Sequence, residues 1–267
     1  METELEILRI VLGLFFLAVS SWHDLKTREV PNRVWLIFAP VGFALLLLQS
    51  QINQHNGETV IPSAWLISIV VTAVISLSLF YLGLFGGADA KALICLSITM
   101  PTYPKVARYQ PPIPTYPFPL AVLSNAVLTS SLLIIIIVGH NILTLFRNGE
   151  RMFEGMENEP VWSKILAFAT GIKVDTEKLR SGSHYILLEH FTKGEDGKII
   201  RHLKISSSLR EETEEEIEQR EELLEEIDGK VWATLGLPFL VFITASYLFA
   251  LHFGDFVIWL IFSFTPS

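Results

Sequence analysis

Residues 7–22, ILRIVLGLFFLAVSSW, carry a single charge, Arg9, in sixteen positions. With their flanks they approach the ~20 residues that cross a hydrocarbon core. The residues ahead of the run include Glu2, Glu4 and Glu6, the reverse of the basic n-region of a cleaved signal peptide, so the run reads as a retained membrane helix. Five more apolar runs follow, at 34–48, 64–85, 88–100, 119–146 and 231–251, giving six candidate spans. The run from Ala88 is short: it could bend through Pro101, lie re-entrant or be shielded by neighbours, because irregular backbone at membrane depth must be covered by protein or line water. A last piece, Phe256 to Phe264, is too short to span alone.

Composition agrees with this reading. The 267 residues are 51% hydrophobic and only 18% charged, against about 25% charged in soluble domains. The expected fold class is therefore an all-α polytopic membrane protein of about six transmembrane helices, with a small α+β domain inserted before the last. Its divisions are expected at 1–146 for membrane helices one to five, 147–230 for a cytoplasmic soluble domain, and 231–267 for the last membrane helix and tail. Segment 147–230 holds 13 of the 20 Lys and Arg. Within it, 184–191 and 199–205 are β-type runs around the turn-rich TKGEDGK of 192–198, a hairpin pattern, and Glu211 to Ile227 reads as a helix.

The formal charge of -8 is local: Glu211 to Asp228 carries 11 acidic residues against Arg220 alone. The rest is near balance, and with no basic stripe interleaved with aromatics, nucleic-acid binding is set aside. The acidic stretch reads as a solvated face, or as an attractor for a basic substrate segment. One cysteine, Cys95, excludes a disulfide framework and any paired-cysteine metal or redox site. The histidines show no HExxH spacing, so neither a metal nor a cofactor is expected.

Orientation follows the loop cations. Lys26, Arg28 and Arg33 crowd the first loop and residues 49–61 hold none, which puts the first loop in the cytoplasm and the N-terminus outside. Counting on places segment 147–230 inside as well. Lys105 and Arg108, in a proline-rich loop assigned outside, run against the count.

By this topology Asp24, just after the first span, and Asp89, where the break Gly83 to Gly87 yields to the fourth helix, share the cytoplasmic membrane face. Carboxyls at membrane level point to function by default. Two of them brought together tend to share one proton. The ionised member can then take a proton from water while the other donates to a carbonyl oxygen, which is amide hydrolysis without a covalent intermediate. Gly86 and Gly87 leave room beside Asp89 for an extended peptide. A plainer reading makes Asp24 a helix-end carboxylate near Lys26 and Arg28, and Asp89 a helix N-cap. His23 is adjacent to Asp24, but neighbours on a helix project about 100° apart and need not cooperate. Lys91 reads as a snorkelling residue.

Three segments carry a resemblance: DLKTREVPN at 24–32, GGADAK at 86–91 and KVWATLGLPF at 230–239. They resemble the archaeal prepilin and preflagellin (prearchaellin) peptidases, grouped with the presenilin-like GxGD intramembrane aspartic proteases. The resemblance covers most of the chain apart from the soluble segment. It implies a catalytic pair at Asp24 and Asp89, supported by Gly86, Gly87 and Ala88, and by analogy a substrate cleft lined by Gly236, Leu237 and Pro238, whose plainer reading is a proline tolerated near a helix N-terminus. It implies no cofactor, and as partners it implies prepilin and prearchaellin precursors, cleaved of their basic leader at the cytoplasmic face of an archaeal cell membrane. Ala88 departs from the glycine common before the family's second aspartate. The paired cysteines and methyltransferase activity of the larger bacterial enzymes have no counterpart. Two other classes fit the residues: a small transporter or proton channel using both aspartates as a relay, which should show polar residues continuing across the bilayer, and a non-catalytic assembly factor, in which either aspartate could be Asn.

Overall fold

The computed structural model describes residues 2–56, 62–113, 115–148, 152–180, 185–193, 199–203, 223–224, 226–227, 229–236 and 238–264. They form two compact units, residues 1–130 with 238–267, and residues 131–237. The first unit contains α1 (Glu2–Thr27), α2 (Asn32–His55), α3 (Pro62–Tyr81), α4 (Gly87–Thr99), the first part of α5 (Phe118–Asn148), α8 (Phe239–Phe253) and α9 (Phe256–Phe264). Helices α1, α2, α3 and α5 are long and apolar enough to cross a membrane. Large apolar side chains such as Phe15, Leu36, Leu66 and Ile135 stay exposed on them, as helices apolar all round require in lipid. The chain is a polytopic membrane protein.

Helix α4 is short because it is shielded. Its Ala90, Ala92, Leu93, Cys95 and Leu96 are buried, and it packs with α1, α2, α3 and α8. It stops at Thr99, where Met100 N–H reaches the Leu96 carbonyl at 2.7 Å. Close packing needs missing side chains: a Cβ on Gly42 of α2 would strike the Thr99 hydroxyl, and one on Gly13 of α1 would meet the Tyr247 hydroxyl at 3.0 Å.

Small polar groups join the helices at the α4 C-terminal end. The buried Arg9 guanidinium donates to the Thr99 carbonyl from Nε at 2.8 Å and Nη2 at 2.5 Å, which occupies an orphan helix-end acceptor. Lys105 and Arg108, anomalous by loop charge, have local reasons to be there. Lys105 Nζ lies 2.9 Å from Glu2 Oε1, and Arg108 Nη1 lies 3.0 Å from His252 Nε2. Asp255, in the turn before α9, caps that helix from Oδ1 to the N–H groups of Val257 and Ile258, and accepts from the Tyr116 hydroxyl at 2.7 Å.

The second unit holds the rest of α5, α6 (Val161–Thr170), β1 (Ile172–Asp175), α7 (Thr176–Arg180), β2 (Tyr185–Leu187), β3 (Glu189–Lys193), β4 (Ile199–Leu203) and β5 (Lys230–Leu235). Strands β3 and β4 form an antiparallel hairpin, with Glu189 opposite Leu203 and Lys193 opposite Ile199, but the expected first run, 184–191, divides: Tyr185–Leu187 joins the other sheet as β2, and Thr192 and Lys193, expected in the turn, extend β3 because they pair with Ile200 and Ile199. The end of its turn, residues 194–198, lies outside the described residues. So does nearly all of the acidic stretch expected to be a helix; at its end Leu223, Leu224 and Ile227 join a cluster with Phe191 and Val231.

One element corrects the sequence reading. The run 231–251 is not a continuous helix: Lys230–Leu235 is the central strand of a β1-β5-β2 sheet, and the helix begins at Phe239. Val231, Trp232 and Ala233 are all buried. A strand covered on both faces loses its alternation and cannot be told from a buried helix by periodicity.

Candidate active site

Asp24 occupies the last turn of α1 and Asp89 the first turn of α4. Each position follows from local backbone chemistry. Helix α1 ends with Arg28 in the left-handed region, φ 60°, its N–H directed 3.3 Å to the Asp24 carbonyl, the pattern of a C-terminal αL cap. Helix α3 ends in a Schellman motif: Gly83, φ 71°, donates to the Phe80 carbonyl and Leu84 donates to the Leu79 carbonyl, each at 2.9 Å. The chain then turns into α4, whose N-cap, Gly86, is extended at φ -71° and ψ 154°.

Asp89 is buried and sits three residues beyond that N-cap. The Gly86 N–H donates to Asp89 Oδ2 at 3.0 Å. Glycine has no side chain to reciprocate, so this is half of a capping box. The plain structural role for Asp89 is therefore real but engages one oxygen. Among the described residues, no hydrogen bond holds Oδ1. A Cβ on Gly86 would lie 3.1 Å from Oδ2, whereas one on Gly87 would meet nothing closer than Phe80 at 3.5 Å. Ala88 lies within the helix and needs no positive φ, so alanine fits where the family commonly has glycine.

Asp24 is half-buried. Its carboxyl interacts with the backbone N–H of Leu240, in the first turn of α8, and with the charge of Arg28. It is near enough to Asp89 for its charge to act on that carboxyl. The fold thus brings residues 65 positions apart into electrostatic reach, at the end of the unit where α8 begins. No hydrogen bond among the described residues joins the His23 ring to Asp24.

Sequence reasoning missed the residues that fasten this arrangement. One turn before Asp24, Ser21 Oγ donates to the Leu240 carbonyl at 2.9 Å and lies 2.7 Å from Thr244 Oγ1; the Thr244 hydroxyl also lies 3.2 Å from the Leu17 carbonyl. On the other side Lys91 Nζ donates to Asn32 Oδ1 at 2.8 Å, which ties α4 to the head of α2. Lys91 is therefore a tie between the first two motif segments. The available signals were faint: two serines, Ser20 and Ser21, inside an apolar run, and Thr244 four residues after Leu240.

The third motif divides. Pro238 is the N-cap of α8, and the Phe239 ring packs, tilted by 43°, against Phe85 in the turn before α4 with centroids 4.8 Å apart. Gly236 belongs to the second unit, and Leu237 lies outside the described residues.

Comparison with known proteins agrees with this layout. Residues 11–143 match the Type IV leader peptidase family, and residues 163–256 match the Archaeal Peptidase A24 C-terminus Type II. A preflagellin peptidase of Methanococcus voltae is 27% identical over 251 residues, 91% of this chain and 94% of that protein. A preflagellin peptidase of Methanocaldococcus jannaschii is 25% identical over 263 residues, covering 94% of this chain and 96% of its own length. The prepilin peptidase EppA of Methanothermobacter thermautotrophicus is 27% identical over 139 residues, 46% of this chain and 33% of that protein. Asp24 and Asp89 both fall in the first matched segment and Pro238 in the second. With both segments present in order and the two preflagellin peptidases aligned nearly end to end, the chain belongs to the type IV leader peptidase family.

Proposed function

We propose that this protein is an aspartic endopeptidase of the GxGD type that removes the short basic leader from archaellin and type IV pilin-like precursors. The support comes from one observation: two carboxyls from separate helices, Asp24 and Asp89, lie within electrostatic reach at the same end of the helical unit, beside the first turn of α8. The relatives' names supply the substrate class, preflagellins and prepilins. In the reaction, the ionised aspartate takes a proton from water, whose oxygen bonds to the scissile carbonyl carbon. The protonated aspartate gives its proton to the carbonyl oxygen. As the tetrahedral intermediate collapses, the C–N bond breaks, the leaving amine takes up the proton first removed from water, and the hydroxyl proton returns to the second aspartate. Gly86, Gly87 and Ala88 leave backbone space beside Asp89 for an extended substrate, and Pro238, the N-cap of α8, borders it.

In this reading residues 1–146 and the segment from Phe239 supply the membrane helices, the strand-containing segment from 147 through Leu235 faces the cytoplasm and the N-terminus is outside. The bias of Lys26, Arg28 and Arg33 against a cation-free second loop supports that orientation. The helical precursor enters from the bilayer, so the bond after its charged leader meets the aspartates at the cytoplasmic interface.

The test is cleavage of a panel of archaeal prepilin and prearchaellin precursors in membranes. Wild type cuts at the leader junction, while Asp24→Asn and Asp89→Asn, inserted in equal amount, lose at least about a thousandfold in rate, as expected when a member of a coupled catalytic set is removed. Cleavage surviving either substitution sinks the aspartic mechanism.

A further inference from the structure

Helix α6 (Val161–Thr170) is inside out for a unit surrounded by water. It buries Ser163 and Ala167 and exposes Val161 (72%), Trp162 (61%), Ile165 (62%) and Leu166 (40%). These four recur at i, i+1, i+4 and i+5, so they share one face. Ten residues rise about 15 Å, half a hydrocarbon core, so α6 cannot cross a bilayer.

A second observation fixes where this face lies. The buried side-chain amide of Asn141, on α5, donates to the Phe168 carbonyl at 2.8 Å and to the Gly171 carbonyl at 2.7 Å. Both acceptors are at the α6 C-terminus, where helix carbonyls lack partners. The apolar span of α5 runs from Phe118 to Arg147, longer than the about 20 residues a hydrocarbon core needs, so Asn141 lies in its last two turns. The tether therefore holds the C-terminus of α6 against the last turns of a helix apolar enough to cross the bilayer. On the same stretch of α5, Leu143 and Phe146 remain exposed, which continues the apolar surface of the membrane span toward α6.

We propose that α6 is a lipid-binding element that lies in the plane of the membrane surface, with Trp162 at headgroup level and Val161, Ile165 and Leu166 in the acyl boundary. The occupant of this face is the bilayer: tryptophan concentrates at membrane interfaces, and a short helix with an apolar face lies along them. Lys164, on the flank, turns away from that face and donates to the Glu157 carbonyl at 3.1 Å. The site is independent of the proposed aspartate chemistry.

The test uses the full chain in vesicles of phosphatidylcholine and phosphatidylglycerol, in a Cys95→Ala background. An environment-sensitive fluorophore is attached at Ile165→Cys, with His190→Cys, exposed on β3, as the water-facing reference. Brominated lipid is expected to dim the label at 165 about twofold or more, and iodide to quench it at least about threefold less than the label at 190. A label at 165 that iodide reaches and brominated lipid does not overturns the proposal. So does one shielded from iodide yet untouched by brominated lipid, which would put protein, a second copy of this chain included, on that face.

Discussion

Gly86 and Gly87 are neighbours that lack a side chain for different reasons. A methyl on Gly86 would press on Asp89 Oδ2, while a methyl on Gly87 would make ordinary contact with Phe80. Neither glycine has a positive φ, so backbone strain does not enter. Gly86→Ala should lower kcat about tenfold or more by displacing a carboxyl, whereas Gly87→Ala, which leaves that carboxyl in place and narrows only the substrate space, should raise KM with kcat within about twofold. Equal effects in a cleavage assay would remove this account of the turn. Arg28 carries strain of its own: a non-glycine residue at φ 60° costs on the order of 1 kcal/mol. Arg28→Gly should relieve that strain and stabilise the protein by about 1 kcal/mol in thermal unfolding. It also removes a charge beside Asp24, so cleavage by the same preparation should fall. Stability and activity moving together in either direction would contradict this. The aspartates were legible in the sequence because an ionisable residue beside an apolar run is conspicuous; the strained cap was not, since nothing in the composition of TREVPN marks an arginine as left-handed.

Among the elements, α8 matters most to the site because its first turn supplies the Leu240 N–H to Asp24. The contact depends on Ser21 and Thr244, which join α1 to α8 one turn below. Replacing both, Ser21→Ala with Thr244→Val, should destabilise the protein by about 1–2 kcal/mol, the value of a few hydrogen bonds with the Leu240 carbonyl still held in its helix. Cleavage should fall as Leu240 shifts from Asp24. A double variant with wild-type melting and wild-type rate would show that the α1–α8 seam is held by apolar packing alone. The helices themselves were legible from their apolar runs. The start of the last one was misplaced: Lys230–Leu235 continues an apolar run, and its two partner strands, β1 and β2, must be in place before its double-sided burial can be seen.

At the scale of the whole molecule, a mainly apolar helical unit accompanies a small α+β unit with its own core. Polar chemistry fastens the second unit as well. Glu189, its side chain fully buried, accepts from Arg201 through two hydrogen bonds of 2.7 Å and from the Trp232 N–H at 2.5 Å. That single carboxylate links the β3-β4 hairpin to the central strand of the other sheet. Glu189→Ala should destabilise the unit by about 3–5 kcal/mol, because it strands a partly buried guanidinium and a buried amide. Amide exchange in β1, β2 and β5 should accelerate accordingly, while unchanged exchange there would show that the sheets hold without the carboxylate. The pair was unreadable beforehand: Glu189 and Arg201 are two charges among many in a polar segment, and only the hairpin register, with Glu189 opposite Leu203 and Phe191 opposite Arg201, makes them diagonal neighbours.

By itself the sequence determined that this chain lives in a membrane, because burial in lipid depends on the summed hydrophobicity of local runs, which are contiguous in the chain. It also singled out Asp24 and Asp89, because charge beside such runs is costly and therefore rare. What only the tertiary structure decided were the relations between distant residues: the electrostatic reach of one aspartate to the other, the Leu240 amide on Asp24, the Lys91–Asn32 tie and the pairing of Lys105 with Glu2. These depend on helix packing, which is set by contacts between residues 59 to 219 positions apart and leaves no periodic signal in any one segment.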